Sequence, residues 1–276
     1  MKISLQQLPS GLKIVLFIGC FTVLLVIAGF LQFFFPPTLH KLVFGIFGSA
    51  GGLFVVWLFS MLRAFSWAET GIRLNRRSPI EFLLGVVIGL FFFLAVLMAF
   101  IGLTPVSIRF SGHGLSVEIL LQVLSLLPLA LMEEIAFRSY PQQELDRQYG
   151  IWVSQIVMAL VFGLYHILYG WDPLTAFSGP FVWAFLFGLA AIVSQGIALP
   201  MGVHFSLNAG QLIVGLNGVS PAALWVINNP HGMAQAVQRQ SQLTGLCLHG
   251  AMLIILILLT FYWSRRQKKV AAFTDS

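Results

Sequence analysis

The chain has 276 residues, of which 58% are hydrophobic and only 9% charged, with a formal net charge of +6. Soluble globular proteins carry about 25% charged residues, so this composition excludes an ordinary soluble domain. The apolar stretches run to roughly 20 residues, the length that an α-helix needs to cross a bilayer, and they lack the alternation of membrane β-barrel strands. We therefore expect an all-α, polytopic membrane helix bundle.

Apolar segments recur along the whole chain and are separated by short stretches rich in proline or charge. They lie at about 14–35, 42–62, 80–103, 117–137, 151–169, 174–195, 197–216 and 246–263. The linker from 217 to 245 shows no periodicity and is predicted to be a loop. We interpret residues 1–276 as one membrane domain with about eight transmembrane helices.

Small residues mark two candidate helix contacts. Gly48 and Gly52 are four residues apart, and so are Gly85 and Gly89. Glycines at this spacing allow helix backbones to approach closely in membranes. We expect both pairs to lie at tightly packed helix interfaces.

Lysine and arginine are unevenly distributed between alternate loops. The larger set contains Lys2, Lys13, Arg63, Arg73, Arg76, Arg77, Arg138, Arg147, Arg265, Arg266, Lys268 and Lys269, whereas the smaller one contains Lys41, Arg109 and Arg239. Cytoplasmic loops carry the excess of basic residues, so both termini are predicted to be cytoplasmic. These cations suit anionic lipid, and no nucleic-acid partner is implied. We expect an integral protein of a bacterial plasma membrane.

Ionisable side chains at membrane depth cost about 2.5–3.5 kcal/mol each, so they need a partner or a function. Glu133, Glu134 and Arg138 stand at the end of the fourth apolar segment. On a helix, Glu134 and Arg138 share a face, whereas Glu133 points elsewhere. One carboxylate can therefore pair with Arg138 while the other acts as an acid or base. The alternative is a salt bridge that only ends the helix.

A buried histidine, His166, follows Phe162 by four residues on the fifth segment. If the fourth and fifth segments form a hairpin that turns at Gly150, Glu134 and His166 lie at equal depth, because each is 16 residues from the turn. We therefore expect this imidazole to face the glutamates. A lone buried histidine would otherwise be a packing residue.

His204 and Asn208 form a third polar pair, four residues apart on the seventh segment. They project from one helix face and could ligate a metal ion or donate hydrogen bonds to an oxyanion. The alternative is a hydrogen bond between helices, worth about 0.6 kcal/mol in membranes.

Taken in order, these motifs resemble those of the CAAX protease and bacteriocin-processing family of intramembrane proteases, which includes the Ras-converting prenyl protease and the abortive-infection proteins. The family pattern EExxxR, FxxxH and HxxxN or HxxxD is matched at Glu133, Glu134, Arg138, Phe162, His166, His204 and Asn208. The resemblance covers residues 117–216, which we interpret as the protease core.

The resemblance implies an eight-helix bundle, a cavity reached from the cytosolic face, and hydrolysis of a peptide or protein substrate at the membrane. By motif position, Glu133 would activate water as a general base with help from His166. His204 and Asn208 would stabilise the oxyanion.

The same resemblance gives Glu134 and Arg138 a supporting role. The residues themselves do not rank Glu133 above Glu134 as the base. Glu133, His166 and His204 could also supply three ligands to zinc, so the cofactor is either none or zinc.

Two other classes of protein are compatible with the polar cluster. The first is a non-catalytic immunity or scaffolding membrane protein of the same fold. The second is a proton-coupled transporter, in which buried Glu and His relay protons. The sequence lacks the inverted repeat and paired broken helices that are typical of transporters.

Overall fold

The computed structural model describes residues 5–112, 114–216, 223–228 and 235–274. Lys2 and residues 217–222 and 229–234 of the predicted loop lie outside the described residues, as do the side chains of Lys268 and Lys269.

Helices dominate this part of the chain, which confirms the all-α membrane bundle. They are α1 (Ser10–Leu31), α2 (His40–Met61), α3 (Ser78–Leu103), α4 (Val117–Phe137), α5 (Tyr140–Tyr149), α6 (Ile151–Leu168), α7 (Pro173–Ser178), α8 (Pro180–Ser194), α9 (Ala198–Ile213) and α10 (Gln235–Thr274). Short 3-10 turns lie at Leu5–Gln7, Gln32–Phe34, Pro37–Leu39 and Trp67–Thr70.

Seven helical segments among the described residues are long and apolar enough to cross a membrane. The predicted segment 197–216 forms α9, which has 16 residues and is shorter than the roughly 20 of a full span. It nevertheless runs beside α3 in the same direction, since Gly85 lies against Leu199 and Gly210 lies against Phe93. The chain therefore makes eight passes between the two ends of the bundle within the described segments.

Both predicted glycine pairs lie at tight helix interfaces. A Cβ at Gly48 would clash with Met132, and one at Gly52 would come within 2.9 Å of Ile135, so α2 packs closely on α4. A Cβ at Gly89 would come within 2.5 Å of the Val203 carbonyl oxygen. Small residues thus set the α2–α4 and α3–α9 separations.

The linker predicted as a loop contains regular structure. A strand, β2 (Trp225–Asn228), pairs antiparallel with β1 (Ser107–Phe110), and α10 begins at Gln235 rather than near 246. The loop prediction is wrong over these residues. The two strands pair across more than a hundred residues, and the first turns of α10 are polar. Neither element therefore shows a periodic pattern of apolar residues in the local sequence.

The predicted simple hairpin at Gly150 is also wrong, because α5 intervenes. Arg138 and Ser139 separate α4 from α5, and Pro141 lies in the first turn of α5, a favoured place for proline. Residues Tyr140–Leu145 are buried. Residues that are equally far from Gly150 in the sequence therefore do not lie at the same depth in the bundle. Helix α5 forms a layer at one end of the bundle.

That end of the bundle carries most of the basic residues, and we call it the basic end. The start of α1 lies there, because the Ser10 hydroxyl donates to Glu144 at 2.5 Å. Arg147 pairs with Glu69 at 2.9 Å, and the Ile197 amide donates to the Gly71 carbonyl at 3.3 Å.

The last helix returns to the basic end. Gln155, near the start of α6, donates to the Thr260 hydroxyl on α10 at 3.4 Å. Arg138, counted among the loop cations from the sequence, instead lies inside the bundle with a fully buried side chain. The described basic side chains at this end are Lys13, Arg63, Arg73, Arg76, Arg77, Arg147, Arg265 and Arg266.

Candidate active site

The last turn of α4 supplies a buried ion pair. The Nε atom of Arg138 lies 3.8 Å from Oε2 of Glu134, and both side chains have 0% exposure. The spacing of four residues on one helix face produces this pair, as predicted from the sequence. The backbone amide of Arg138 also donates to the Glu134 carbonyl at 2.9 Å. The ion pair therefore lies at the C-terminal end of α4.

Aromatic rings surround the Arg138 guanidinium. Its Cζ atom lies 5.0 Å from the ring centroid of Phe162 and 5.8 Å from that of Phe187. The guanidinium makes no hydrogen bond among the described residues. Its charge is therefore stabilised by Glu134 and by the faces of the rings.

His204 on α9 lies between the two glutamates. Its Nδ1 is 2.8 Å from Oε1 of Glu134, and its Nε2 is 3.5 Å from Oε2 of Glu133. The ring stacks on Phe187 with centroids 4.4 Å apart. An ionised carboxylate only accepts hydrogen bonds, so Nδ1 of His204 carries the proton that it donates to Glu134.

The imidazole that faces Glu134 is thus His204, and the prediction that His166 would face it is wrong. The insertion of α5 removes the hairpin on which that prediction depended. Nδ1 of His166 instead donates to the Phe162 carbonyl at 2.9 Å, and no ion pair joins His166 to either glutamate among the described residues. Since Nδ1 holds the proton, Nε2 of a neutral His166 keeps its lone pair.

A cavity of about 940 Å³ brings the predicted residues together. Glu133, His166, His204 and Asn208 line it from α4, α6 and α9. Most of the other lining side chains are apolar or aromatic, and helices α2, α3, α7, α8 and α10 complete the wall. Polar groups that converge in one apolar pocket are typical of a binding or active site.

The two adjacent glutamates have different environments. The Glu133 side chain is 15% exposed and lines the cavity. Glu134 is fully buried, contacts both Arg138 and His204, and does not line the cavity. Glu133 is therefore the carboxylate that a molecule in the cavity can reach.

Sequence reasoning missed the aromatic wall beside His166. Tyr165, Tyr169 and Trp171 all line the cavity, and the ring centroid of Trp171 lies 5.1 Å from that of His166. Burial raises the pKa of the Tyr169 hydroxyl, so this residue is a neutral hydrogen-bonding group. The spacing of Tyr165 and Tyr169, one helical turn apart beside His166, was the available signal.

The described residues do not form a complete zinc site. Oε2 of Glu133 and Nε2 of His204 are 3.5 Å apart, close to the roughly 3.3 Å between ligands of a tetrahedral zinc ion. His166 does not join them: within the described ranges, no three His, Cys, Asp or Glu side chains cluster as a metal ion requires.

Comparison with known proteins finds a family match in the part of the chain that carries the three motifs. Residues 115–210 match the family model described as "Type II CAAX prenyl endopeptidase Rce1-like". The match includes α4–α8 and most of α9, with all three motifs. Curated proteins gave no match. The motif-bearing core of this chain is thus similar to the family of type II CAAX prenyl endopeptidases of the Rce1-like kind, as its sequence predicted.

Proposed function

We propose that this protein is an intramembrane endopeptidase that hydrolyses peptide bonds at or within the membrane. The observation that carries the proposal is the environment of Glu133, which lines the cavity with its Oε2 3.5 Å from Nε2 of His204. A carboxylate that is reachable yet held in an apolar pocket beside an imidazole can accept and return a proton.

Glu133 acts as the general base in this proposal. It removes a proton from a water molecule as the water oxygen attacks the carbonyl carbon of the substrate. Collapse of the tetrahedral intermediate breaks the C–N bond, and Glu133 returns the proton to the departing amine. His166 lines the same cavity from α6, and its Nε2 lone pair can orient the water.

His204 and Asn208 stabilise the oxyanion. They lie one helical turn apart on α9, and both line the cavity. The ring nitrogen that would donate to the oxyanion is Nε2 of His204, since Nδ1 contacts Glu134. The Asn208 amide supplies the second donor. Loss of one such donor typically lowers kcat by about 10²–10³.

Glu134 and Arg138 are positioning residues. The bond from His204 Nδ1 to Glu134 fixes the ring so that Nε2 points toward Glu133. Arg138 holds Glu134 in turn, at 3.8 Å. Because the three side chains are buried, the active geometry is present before substrate binds.

The proposal is tested by peptide-terminus proteomics in cells that carry the wild type or Glu133→Gln. We expect peptide termini in wild-type cells that disappear in the variant. Glu118→Gln is the matched control, since Glu118 lies at the exposed start of the same helix. Equal termini in all three strains would reject proteolysis. Metal analysis of the purified protein distinguishes a zinc-dependent reaction from a metal-free one.

One observation favours a second candidate, a non-catalytic membrane protein of the same fold. Glu134 and Arg138 are fully buried and His204 nearly so, and this network could serve helix packing alone. That candidate predicts that Glu133→Gln changes no peptide terminus, although the variant is correctly inserted.

A further inference from the structure

The cavity has exposed lining residues at one end of the bundle. They are Lys41 at the start of α2, Tyr169 and Trp171 after α6, Thr175 in α7 and Leu216 after α9. All five stand at the ends of passes that are remote from the basic end. We call this end of the cavity the mouth.

The other end of the cavity is closed. Phe162, Phe187 and His204 are buried at its floor, and Glu134 and Arg138 lie beyond it. The buried residues Tyr140–Leu145 of α5 form the next layer. Among the described residues, none from the 63–77 loop, α5 or the 194–197 turn lines the cavity. Access from the basic end is therefore blocked.

The described Lys and Arg side chains are distributed unevenly between the two ends of the bundle. Eight lie at the basic end, whereas the opposite end has only Lys41, Arg109 and Arg239. The excess of Lys and Arg marks the cytoplasmic side, and acidic partners such as Glu69 contribute little to this bias. The charge distribution places the basic end in the cytosol and the mouth on the opposite side.

We propose that the cavity takes its substrates from the extracytoplasmic side of the membrane. This inference rests on the proposed function, and it names a substrate class: extracytoplasmic juxtamembrane segments of membrane proteins, or exported peptides. Two expectations from the sequence conflict in this geometry, since cytoplasmic termini place the mouth outside, whereas the family resemblance implies a cytosolic entrance. The charge distribution favours the former.

Orientation is tested by cysteine labelling of the full chain in intact cells. Cys20 and Cys247, both exposed, are first replaced by serine. Trp171→Cys then reports on the mouth and Leu74→Cys on the basic end, at positions that are 44% and 99% exposed. We expect a membrane-impermeant maleimide to label Trp171→Cys in intact cells and Leu74→Cys only after permeabilisation.

Thr175→Cys provides a second mouth position, in case loss of the Trp171 ring prevents folding. Labelling of Leu74→Cys in intact cells would overturn the orientation. Labelling of both mouth cysteines only after permeabilisation would overturn it as well.

The substrate side is tested by mapping the Glu133-dependent peptide termini onto the topology of the cleaved proteins. The inference predicts that these termini lie in extracytoplasmic segments. Termini in cytosolic segments would overturn the inference and leave the proposed protease function intact. Absence of any Glu133-dependent terminus would instead reject the protease function, while the labelling result would still decide the orientation.

Discussion

Removal of the Glu134 charge is the most informative structural perturbation. Glu134→Gln keeps the size of the side chain and an oxygen that can accept from His204, but leaves the fully buried Arg138 without its anion. Removal of one partner from a buried ion pair costs about 3–5 kcal/mol. The ring of Phe162, 5.0 Å away, retains about 0.5–2 kcal/mol of cation–π stabilisation and does not replace the carboxylate.

The folding equilibrium should therefore fall by about two to four orders of magnitude, since each 1.4 kcal/mol is about tenfold. The assay is reversible unfolding in mixed detergent micelles, followed by tryptophan fluorescence. Glu118→Gln, on the exposed first turn of α4, is the control and should change the unfolding free energy by no more than about 0.5 kcal/mol.

A double variant separates charge from packing. Arg138→Met alone should also destabilise the fold, because the buried Glu134 carboxylate then keeps only its bond to His204. Glu134→Gln together with Arg138→Met leaves neither charge unpaired and should recover most of the stability. If Glu134→Gln is as stable as the wild type, or if the double variant is less stable than both single variants, the reasoning about the ion pair is refuted.

Three further predictions concern packing, catalysis and pH. Gly89→Leu should destabilise the bundle by about 1–3 kcal/mol in the same unfolding assay, because α9 leaves no space for a side chain at this position. Gly102→Leu on the same helix is the control and should be nearly neutral. Equal effects of the two substitutions would contradict the α3–α9 contact. Asn208→Ala should lower kcat by about 10²–10³ with little change in KM in a peptide-cleavage assay, and a change confined to KM would argue against an oxyanion role. The hydrogen bond from the Ser66 amide lowers the pKa of Glu69, so ionised Glu69 stabilises the fold at neutral pH. This stabilisation is lost as the pH falls below 4.5 and passes through the lowered pKa. Glu69→Gln should remove this part of the pH dependence of thermal stability, and an unchanged pH profile would contradict the role of Glu69.

Local spacing predicted much of the helical framework. The segment 117–137 coincides with α4, and the pairing of Glu134 with Arg138 follows from four residues on one helix. Hydropathy also located α9, despite its 16 residues. These features are determined by residues within a few helical turns of one another, and the periodicity of apolar residues over that distance predicts them.

Features that depend on distant contacts were not predicted. The imidazole that contacts the Glu134 carboxylate is on α9 rather than α6, because α5 changes the depth of α6 and no local pattern encodes that shift. The pairing of β1 with β2 joins separate segments in the same way. The distinction between Glu133 and Glu134 also required the cavity, since adjacent helical positions differ only in the face that they present.

The central claim is that Glu133 supports peptide hydrolysis in the cavity. The most direct measurement is mass spectrometry of a peptide library incubated with purified wild type, Glu133→Gln or Glu118→Gln in proteoliposomes. Wild type and Glu118→Gln should cleave the same peptides, and Glu133→Gln should cleave none. Cleavage by Glu133→Gln at the wild-type rate, or no cleavage by the folded wild type, would contradict the account.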